Sequence, residues 1–469
     1  MKKVNFLSIS ATALLAMPAL IQAEEPKPNV VFILIDDMGW KDLSCYGSDF
    51  YQTPNIDKLA AESVKFTNGY AACTVSSPTR ASIMTGKYPA RLHVTDWIEG
   101  DNPKNRKMKA PNWTMYLDLK ETTMAEVLKA NGYATAHIGK WHLGEDEKYW
   151  PEHQGFDLNI GGWKRGQPVL NPQINSYGYF SPYGNPRLTN GAEGEYLTER
   201  LANEACNYIE NNKSKPFFLN LWFYNVHTPL QAKADKIEKY KALVDSTKLQ
   251  KNPIYAAMVE HVDEAVGKVI AQLIKDGVYE NTIIVFTSDN GGLLLGNKNR
   301  VTNNAPLRLG KGHIYEGGVR VPFMIKDAGK NPLAKSCDVP VISVDFMPTI
   351  LDLTKSKTDK SVRAGFDGLS LKELISKKSN KLNRRALYWH YPHYHSEGAT
   401  PYSAMRMGDW KLINLLEDNS YQLYNLKEDI SENEDLSNKN PKILAKLKKE
   451  LISWRLSVDA QMPVINDTK

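Results

Sequence analysis

The sequence predicts an α/β fold: a large, mainly parallel sheet flanked by helices, plus a small C-terminal antiparallel β domain with a terminal helix. Three observations carry this expectation. Short, continuously apolar runs rich in β-branched residues recur, the pattern of strands buried on both faces of a parallel sheet. Amphipathic segments of helical period alternate with them. Beyond residue 385 the candidate strands become short and closely spaced, and a single helix-length run closes the chain.

In chain order, Asn29 to Ile35 is the first buried strand, and it ends in two acids, Asp36 and Asp37. A helix is expected from Thr53 as N-cap with Pro54 at its first position, and another from the capping box Thr123 to Glu126, closed by Gly132. Residues 133–139, 217–223 and 282–286 read as strands, and 196–211 and 255–275 as helices. The Gly-, Pro-, Asn- and Tyr-rich stretch 161–196 shows neither period and is expected to be a functional loop. After Asp352 a Lys- and Ser-rich run marks a solvated boundary. Strands are then expected at 386–391, 404–407, 410–414 and 421–424, and a helix at 441–457.

At 469 residues the chain accommodates one large domain with a smaller satellite. With 42% hydrophobic and 24% charged residues it is expected to be globular, which excludes disordered, collagenous and polytopic membrane classes. A net charge of +6 is too mild to point to nucleic acid, and none is expected as a partner. Lys2 and Lys3 before an apolar stretch from Phe6 to Ile21, then Ala23 and two acids, read as a secretory signal peptide over residues 1–23. Cleavage there removes both lysines, and the polar residues within the stretch argue against a stable membrane anchor. Cys45, Cys73, Cys206 and Cys337 have neither metal-type spacing nor the density of a disulfide scaffold.

The chemistry is suggested by placement. Asp36 and Asp37, Lys140 with His142, His227, and Asp289 with Asn290 all follow apolar strands. Ligands of open parallel sheets bind outside the carboxyl ends of strands, so these groups are expected at one edge of one sheet. Singly, each also reads as a solvated turn or an ordinary surface side chain. Three carboxylates and one amide oxygen suit Ca²⁺ or Mg²⁺ rather than zinc. In the run from Ser76 to Gly86, Ser77 is the expected N-cap and Pro78 the first helical residue. That places Ser76 just before a helix N-terminus with Arg80 one turn in. A capped helix without chemistry fits this segment equally well.

Ser76-x-Pro78-x-Arg80 followed by Thr85-Gly86 resembles the signature of the type I, formylglycine-dependent sulfatases in its serine-type bacterial form. The resemblance extends through Asp36-Asp37, Thr53 to Asp57, Gly139 to Gly144, His227 to Pro229, Ser288 to Gly291 and Lys311 to Pro322, nearly the whole chain after the signal. It implies the alkaline-phosphatase-like fold, with a catalytic domain over 27–385 and a C-terminal subdomain over 386–469. It also implies that Ser76 is oxidised to formylglycine by a serine-type maturase before export, and that the protein works in the periplasm.

By the same resemblance, Asp36, Asp37, Asp289, Asn290 and the modified Ser76 hold Ca²⁺. Arg80 steadies the formylglycine hydrate, and Lys140 and Lys311 hold the sulfate oxygens. His227 with Lys311 protonates the departing oxygen, and His142 is the base that collapses the sulfated hydrate. The expected substrate is a sulfated saccharide, with galactose and N-acetylgalactosamine sulfates as the nearest analogy. Candidate sugar contacts are Asp96, Trp97, Trp163, Arg165, His393 and His395, with His390 beside the last two, because aromatic rings stack on sugars and cationic side chains read hydroxyls and anions. Two alternatives stand beside this reading. One is a phosphonate or phosphate monoester hydrolase of the same superfamily, and the other a noncatalytic binding protein for sulfated glycans should Ser76 remain unmodified.

Overall fold

The computed structural model describes residues 1, 26–100, 103, 105–295, 301–329, 335–376 and 378–467. The expected signal peptide therefore lies almost wholly outside the described residues. No helix among the described residues is long and apolar enough to cross a membrane.

An eight-stranded sheet organises the molecule, in the order Lys335–Cys337, Val64–Phe66, Phe323–Lys326, Thr282–Ser288, Asn29–Ile35, Phe217–Trp222, Ala134–Gly139, Leu158–Ile160. From Thr282–Ser288 to Leu158–Ile160 all neighbours are parallel. Phe323–Lys326 runs antiparallel between its two neighbours, and with Val64–Phe66 and Lys335–Cys337 it forms a flank that carried no signal in the sequence.

The apolar runs are continuous because both faces are covered. Along Asn29–Ile35, Val31, Ile33 and Ile35 join one core, and Val30, Phe32 and Leu34 join the other, all fully buried. The helices Leu197–Asn212 and Pro253–Lys275 cover the first face. The helices Ser76–Thr85, Met124–Ala130 and Phe346–Leu353 cover the second. Each inward aliphatic side chain contributes about 1.5–3 kcal/mol of burial, which fixes the strand faces more firmly than intrinsic propensity does.

Element ends follow local chemistry where side chains dictate it. The capping box forms as expected, with the Thr123 hydroxyl accepting from the Glu126 N–H and the Glu126 carboxylate accepting from the Thr123 N–H. Ser77 does not cap, a correction to the expectation. The helix begins at Ser76 with Val75 at the N-cap position, and the Ser77 hydroxyl instead accepts from the Ile98 N–H and donates to the His142 carbonyl. The stretch 161–196 is also more ordered than expected. Leu170–Asn171, Ser176–Tyr177 and Phe180–Tyr183 make a three-stranded sheet too short to show a period, anchored by the buried Tyr179, Tyr183 and Tyr196.

Beyond residue 385 the strands Leu387–Tyr391, Tyr402–Met407, Trp410–Leu415 and Ser420–Asn425 form an antiparallel sheet in sequence order, against which the helix Pro441–Ser457 packs. It docks on the large sheet's side through a third core. There Trp389 packs against Tyr70 and donates its indole N–H to the Ala71 carbonyl.

Candidate active site

Parallel strands deliver the polar groups to one edge. Asp36 and Asp37 follow Asn29–Ile35, Asp289 and Asn290 follow Thr282–Ser288, Lys140 follows Ala134–Gly139, and His227 lies five residues beyond Phe217–Trp222. Two backbone features aim them. Gly139 has φ +108°, and a Cβ there would lie 1.9 Å from the Trp222 carbonyl oxygen, so only glycine lets the chain turn and present Lys140. Asp37 sits in the left-handed region at φ 60°, a cost accepted where an over-determined loop needs it. The Ser288 hydroxyl ties that loop down, accepting from the Met38 N–H and donating to the Ile35 carbonyl.

One carboxylate oxygen from each of Asp36, Asp37 and Asp289 lies within 4.8 Å of the others, all three side chains being buried. Three cations answer them. Arg80 donates to Asp289 through Nη2 at 2.7 Å and Nε at 3.0 Å, Lys140 to Asp36 at 2.7 Å, and Lys311 to Asp37 at 2.8 Å. Burial pushes Asp36 up to about 8 against the pull of Lys140, and the neighbouring Asp289 and Asp37 add to the rise. Burial likewise brings Lys140 down to about 8, with Asp36 opposing. For Asp37 and Asp289 burial also opposes ionisation, but Lys311 and His227 around the first, and Arg80 and Lys140 around the second, hold both below the usual carboxylate range.

The donor set fits a hard divalent cation. Asn290 Nδ2 donates to Asp37 at 2.8 Å, which turns Oδ1 the other way, and that buried oxygen has no hydrogen-bond partner among the described residues. A buried amide oxygen so placed beside three carboxylates has the chemistry of a Ca²⁺ or Mg²⁺ ligand.

Ser76, at the start of its helix, donates to Asp36 at 3.2 Å and accepts from Lys140 Nζ at 3.0 Å. Lys311 Nζ also lies 3.0 Å from His227 Nε2, while His227 Nδ1 lies 2.8 Å from the Thr228 carbonyl. The carbonyl fixes the ring proton on Nδ1 and leaves Nε2 an acceptor. In His142 the order reverses. Nε2 faces the Ile98 carbonyl at 3.0 Å and so carries the proton, leaving Nδ1 without a partner among the described residues. Burial lowers both histidines, His227 to about 3, so both are neutral at pH 7.

These groups floor a cavity of about 310 Å³. Ser76, Lys140, His142, His227 and Lys311 line its depth, and Trp97, Arg165 and His395 stand on its walls. Three of the sugar contacts expected from the sequence need correction in this light: Asp96, Trp163 and His393 do not face the cavity. Asp96 is buried, accepting from the Tyr391 hydroxyl and the Trp97 N–H. His393 is buried against Thr95 and the Trp113 ring, and Trp163 belongs to the core under the sheet. His390 likewise is buried, between Ser403 and the Gln461 carbonyl. Spacing in a loop does not say which side a residue faces. Glu99, Gln167, Leu295 and Glu397 also line the cavity, and no periodicity or motif marked them.

Residues 28–356 match the family described as Sulfatase, and residues 309–457 match N-sulphoglucosamine sulphohydrolase, C-terminal. The chain is 31% identical to a sulfatase of Formosa agariphila, with 98% of this chain and 94% of that protein covered. It is 32% identical to the N-acetylgalactosamine-6-sulfatase of Mus musculus, covering 67% of this chain and 59% of that one. Among solved structures, Ps i-CgsB in complex with k-i-k-neocarrahexaose superimposes with a TM-score of 0.76 at 31% identity, covering 91% of this chain and 92% of that one.

Proposed function

The chain belongs to the sulfatase family, whose members hydrolyse sulfuric esters, and on that premise we propose that it removes O-sulfate from carbohydrates with formylglycine derived from Ser76 as the nucleophile. The carrying observation is Ser76 Oγ at the cavity floor, 3.0 Å from Lys140 Nζ and beside the three acids and the unpartnered Asn290 oxygen. Carbohydrate sulfates as substrates are supported by relatives that include an N-acetylgalactosamine-6-sulfatase and a structure holding a neocarrahexaose.

Asp36, Asp37, Asp289, Asn290 and the modified Ser76 would hold Ca²⁺, which when bound polarises a sulfate oxygen and favours the ionised attacking hydroxyl. A formylglycine hydrate offers one hydroxyl for attack and a second whose deprotonation releases sulfate. The remaining roles belong to the chain's own side chains. Three buried cations face the three acids, and a divalent cation held among them would add the positive charge that meets a sulfate ester. Lys140 and Lys311 hold the ester's oxygens, and Arg80, fixed by Asp289, orients residue 76. The Lys311 and His227 pair delivers a proton to the departing sugar oxygen, because Lys311 already donates to Nε2. The free Nδ1 of His142 is the base.

The same reading makes residues 1–23 a cleaved export signal, 27–385 the catalytic part and 386–469 a C-terminal subdomain. A serine-type maturase acts before export, and the enzyme works in the periplasm.

The test uses enzyme from cells containing such a maturase. The peptide bearing Ser76 should weigh about two hydrogens less than its encoded sequence, since an alcohol becomes an aldehyde. The enzyme should release sulfate from an aryl sulfate faster than phosphate from an aryl phosphate. Faster phosphate release would overturn the proposal, as would active enzyme with unmodified Ser76.

A further inference from the structure

The cavity changes sign between floor and rim. Its depth is cationic, whereas among the described residues its outer half carries two carboxylates, Glu99 and Glu397, against one cation, Arg165. Glu99 neutralises Arg165 across 3.2 Å. Glu397 has no such partner: among the described residues its carboxylate makes one hydrogen bond, accepting from the Leu295 N–H at 3.2 Å. His395, two residues earlier, adds no charge, because burial and the nearby Lys311 lower it to about 4. Its ring packs on Gly312, next to Lys311, where a Cβ would lie 2.3 Å from Nδ1. The Glu397 turn is therefore seated over the floor, where burial raises the pKa of its carboxylate while the Leu295 N–H and Lys311 oppose the rise and Asp37 adds to it.

Resting on the sulfatase reading above, we infer that Glu397, on a rim it shares with Glu99, selects a sugar ring bearing a single sulfate. Glu397 accepts hydrogen bonds from the ring's free hydroxyls and repels a second anionic group on the same ring. The sulfate descends to Lys140 and Lys311, and the rest of the ring lies at rim level, against Trp97. A hydroxyl there gives a carboxylate the donor it lacks. A second sulfate or a carboxylate there meets a like charge in a partly desolvated cleft, a repulsion that discriminates between ligands rather than raising affinity.

The experiment compares kcat/KM of the matured enzyme for a monosulfated sugar and for the same sugar carrying a second sulfate on that ring, at low ionic strength. The ratio cancels the fraction of modified enzyme. About tenfold or greater preference for the monosulfated ring is expected, and Glu397→Gln should shrink it about tenfold. Added salt should shrink it in the wild type and barely alter it in the variant. Equal turnover of the two sugars by the wild type overturns the inference, as does a ratio unmoved by Glu397→Gln. Failure to release sulfate from an aryl sulfate would instead defeat the underlying sulfatase reading, because that compound presents no ring hydroxyl to the rim.

Discussion

Under the C-terminal sheet, Glu316 is as deeply buried as Asp36 and, as in Asp36, both of its oxygens are taken, one by Lys411 at 2.9 Å and the other by Arg320 at 2.8 Å and the Tyr70 hydroxyl at 2.7 Å. Lys411 continues to Glu432 at 2.8 Å, and Glu432 accepts the Glu316 N–H at 2.6 Å. Burial opposes the charge on Glu316, but Lys411 and Arg320 hold it down to about 2. Burial pushes the joint's second acid, Glu432, up to about 7 much as it pushes Asp36 up to about 8, so the clusters part at Asn290 Oδ1, which has no hydrogen-bond partner among the described residues. The two clusters share residue types and depth and differ in closure. Glu316 is satisfied within the chain, which suits a joint, while the floor leaves the Asn290 oxygen open beside three acids, which suits a ligand site.

The nucleophile gives the severest test of this difference. Ser76→Ala should lower sulfate release by roughly 10⁴-fold or more while the melting curve stays within a few degrees, since a small buried hydroxyl is all that is lost. Retained turnover would leave the floor without its assigned chemistry. Metal removal comes next. Dialysis against a chelator should abolish turnover and lower the melting temperature, and Ca²⁺ at about 100 times its dissociation constant should restore about 2.7 kcal/mol of stability. If neither turnover nor melting responds, the acids form a closed network like that of Glu316. Third, Glu316→Gln should cost about 3 kcal/mol of stability by stranding Lys411 and Arg320. KM and the response to Ca²⁺ should be preserved, and a variant that melts normally but no longer responds to Ca²⁺ would show the two clusters to be one.

The floor was legible in the sequence and the joint was not, for a physical reason. Asp36, Lys140 and Asp289 each follow an apolar strand buried on both faces, and a parallel sheet brings the ends of such strands together whatever the loops do. Glu316, Lys411 and Glu432 meet because one sheet docks on another, and no local period encodes docking. The same limit explains the sugar contacts. Trp97, Arg165 and His395 reach the cavity whereas Asp96, Trp163 and His393 turn away, although all six lie in irregular segments where neither a period of two nor of 3.6 assigns a face. Ser77 misled for a related reason: a Ser-Pro pair signals a helix start, but the Ile98 N–H and the His142 carbonyl competed for its hydroxyl and won.

His393 offers the smallest and most specific test, because it separates a buried support from a rim contact. Burial, with His390 nearby, lowers its pKa from an ordinary 6.5 to about 3 even with the Asp96 carboxylate 3.9 Å from Nδ1, so the ring is neutral in the folded state and protonates readily in the unfolded one. Between those values the unfolded chain binds the extra proton. This contribution to stability is therefore present above about pH 6.5 and lost progressively as pH falls toward 3, amounting to about 2 kcal/mol at pH 5. His393→Gln keeps a polar group near the Thr95 hydroxyl but cannot titrate. Relative to its own value at pH 7.5, the variant should lose about 2 kcal/mol less than the wild type on acidification to pH 5, measured by denaturant unfolding. Its KM for a sulfated sugar at pH 7.5 should not change. A raised KM with an unaltered stability profile would return His393 to the cavity wall and place the boundary between site and support one layer deeper than the geometry puts it.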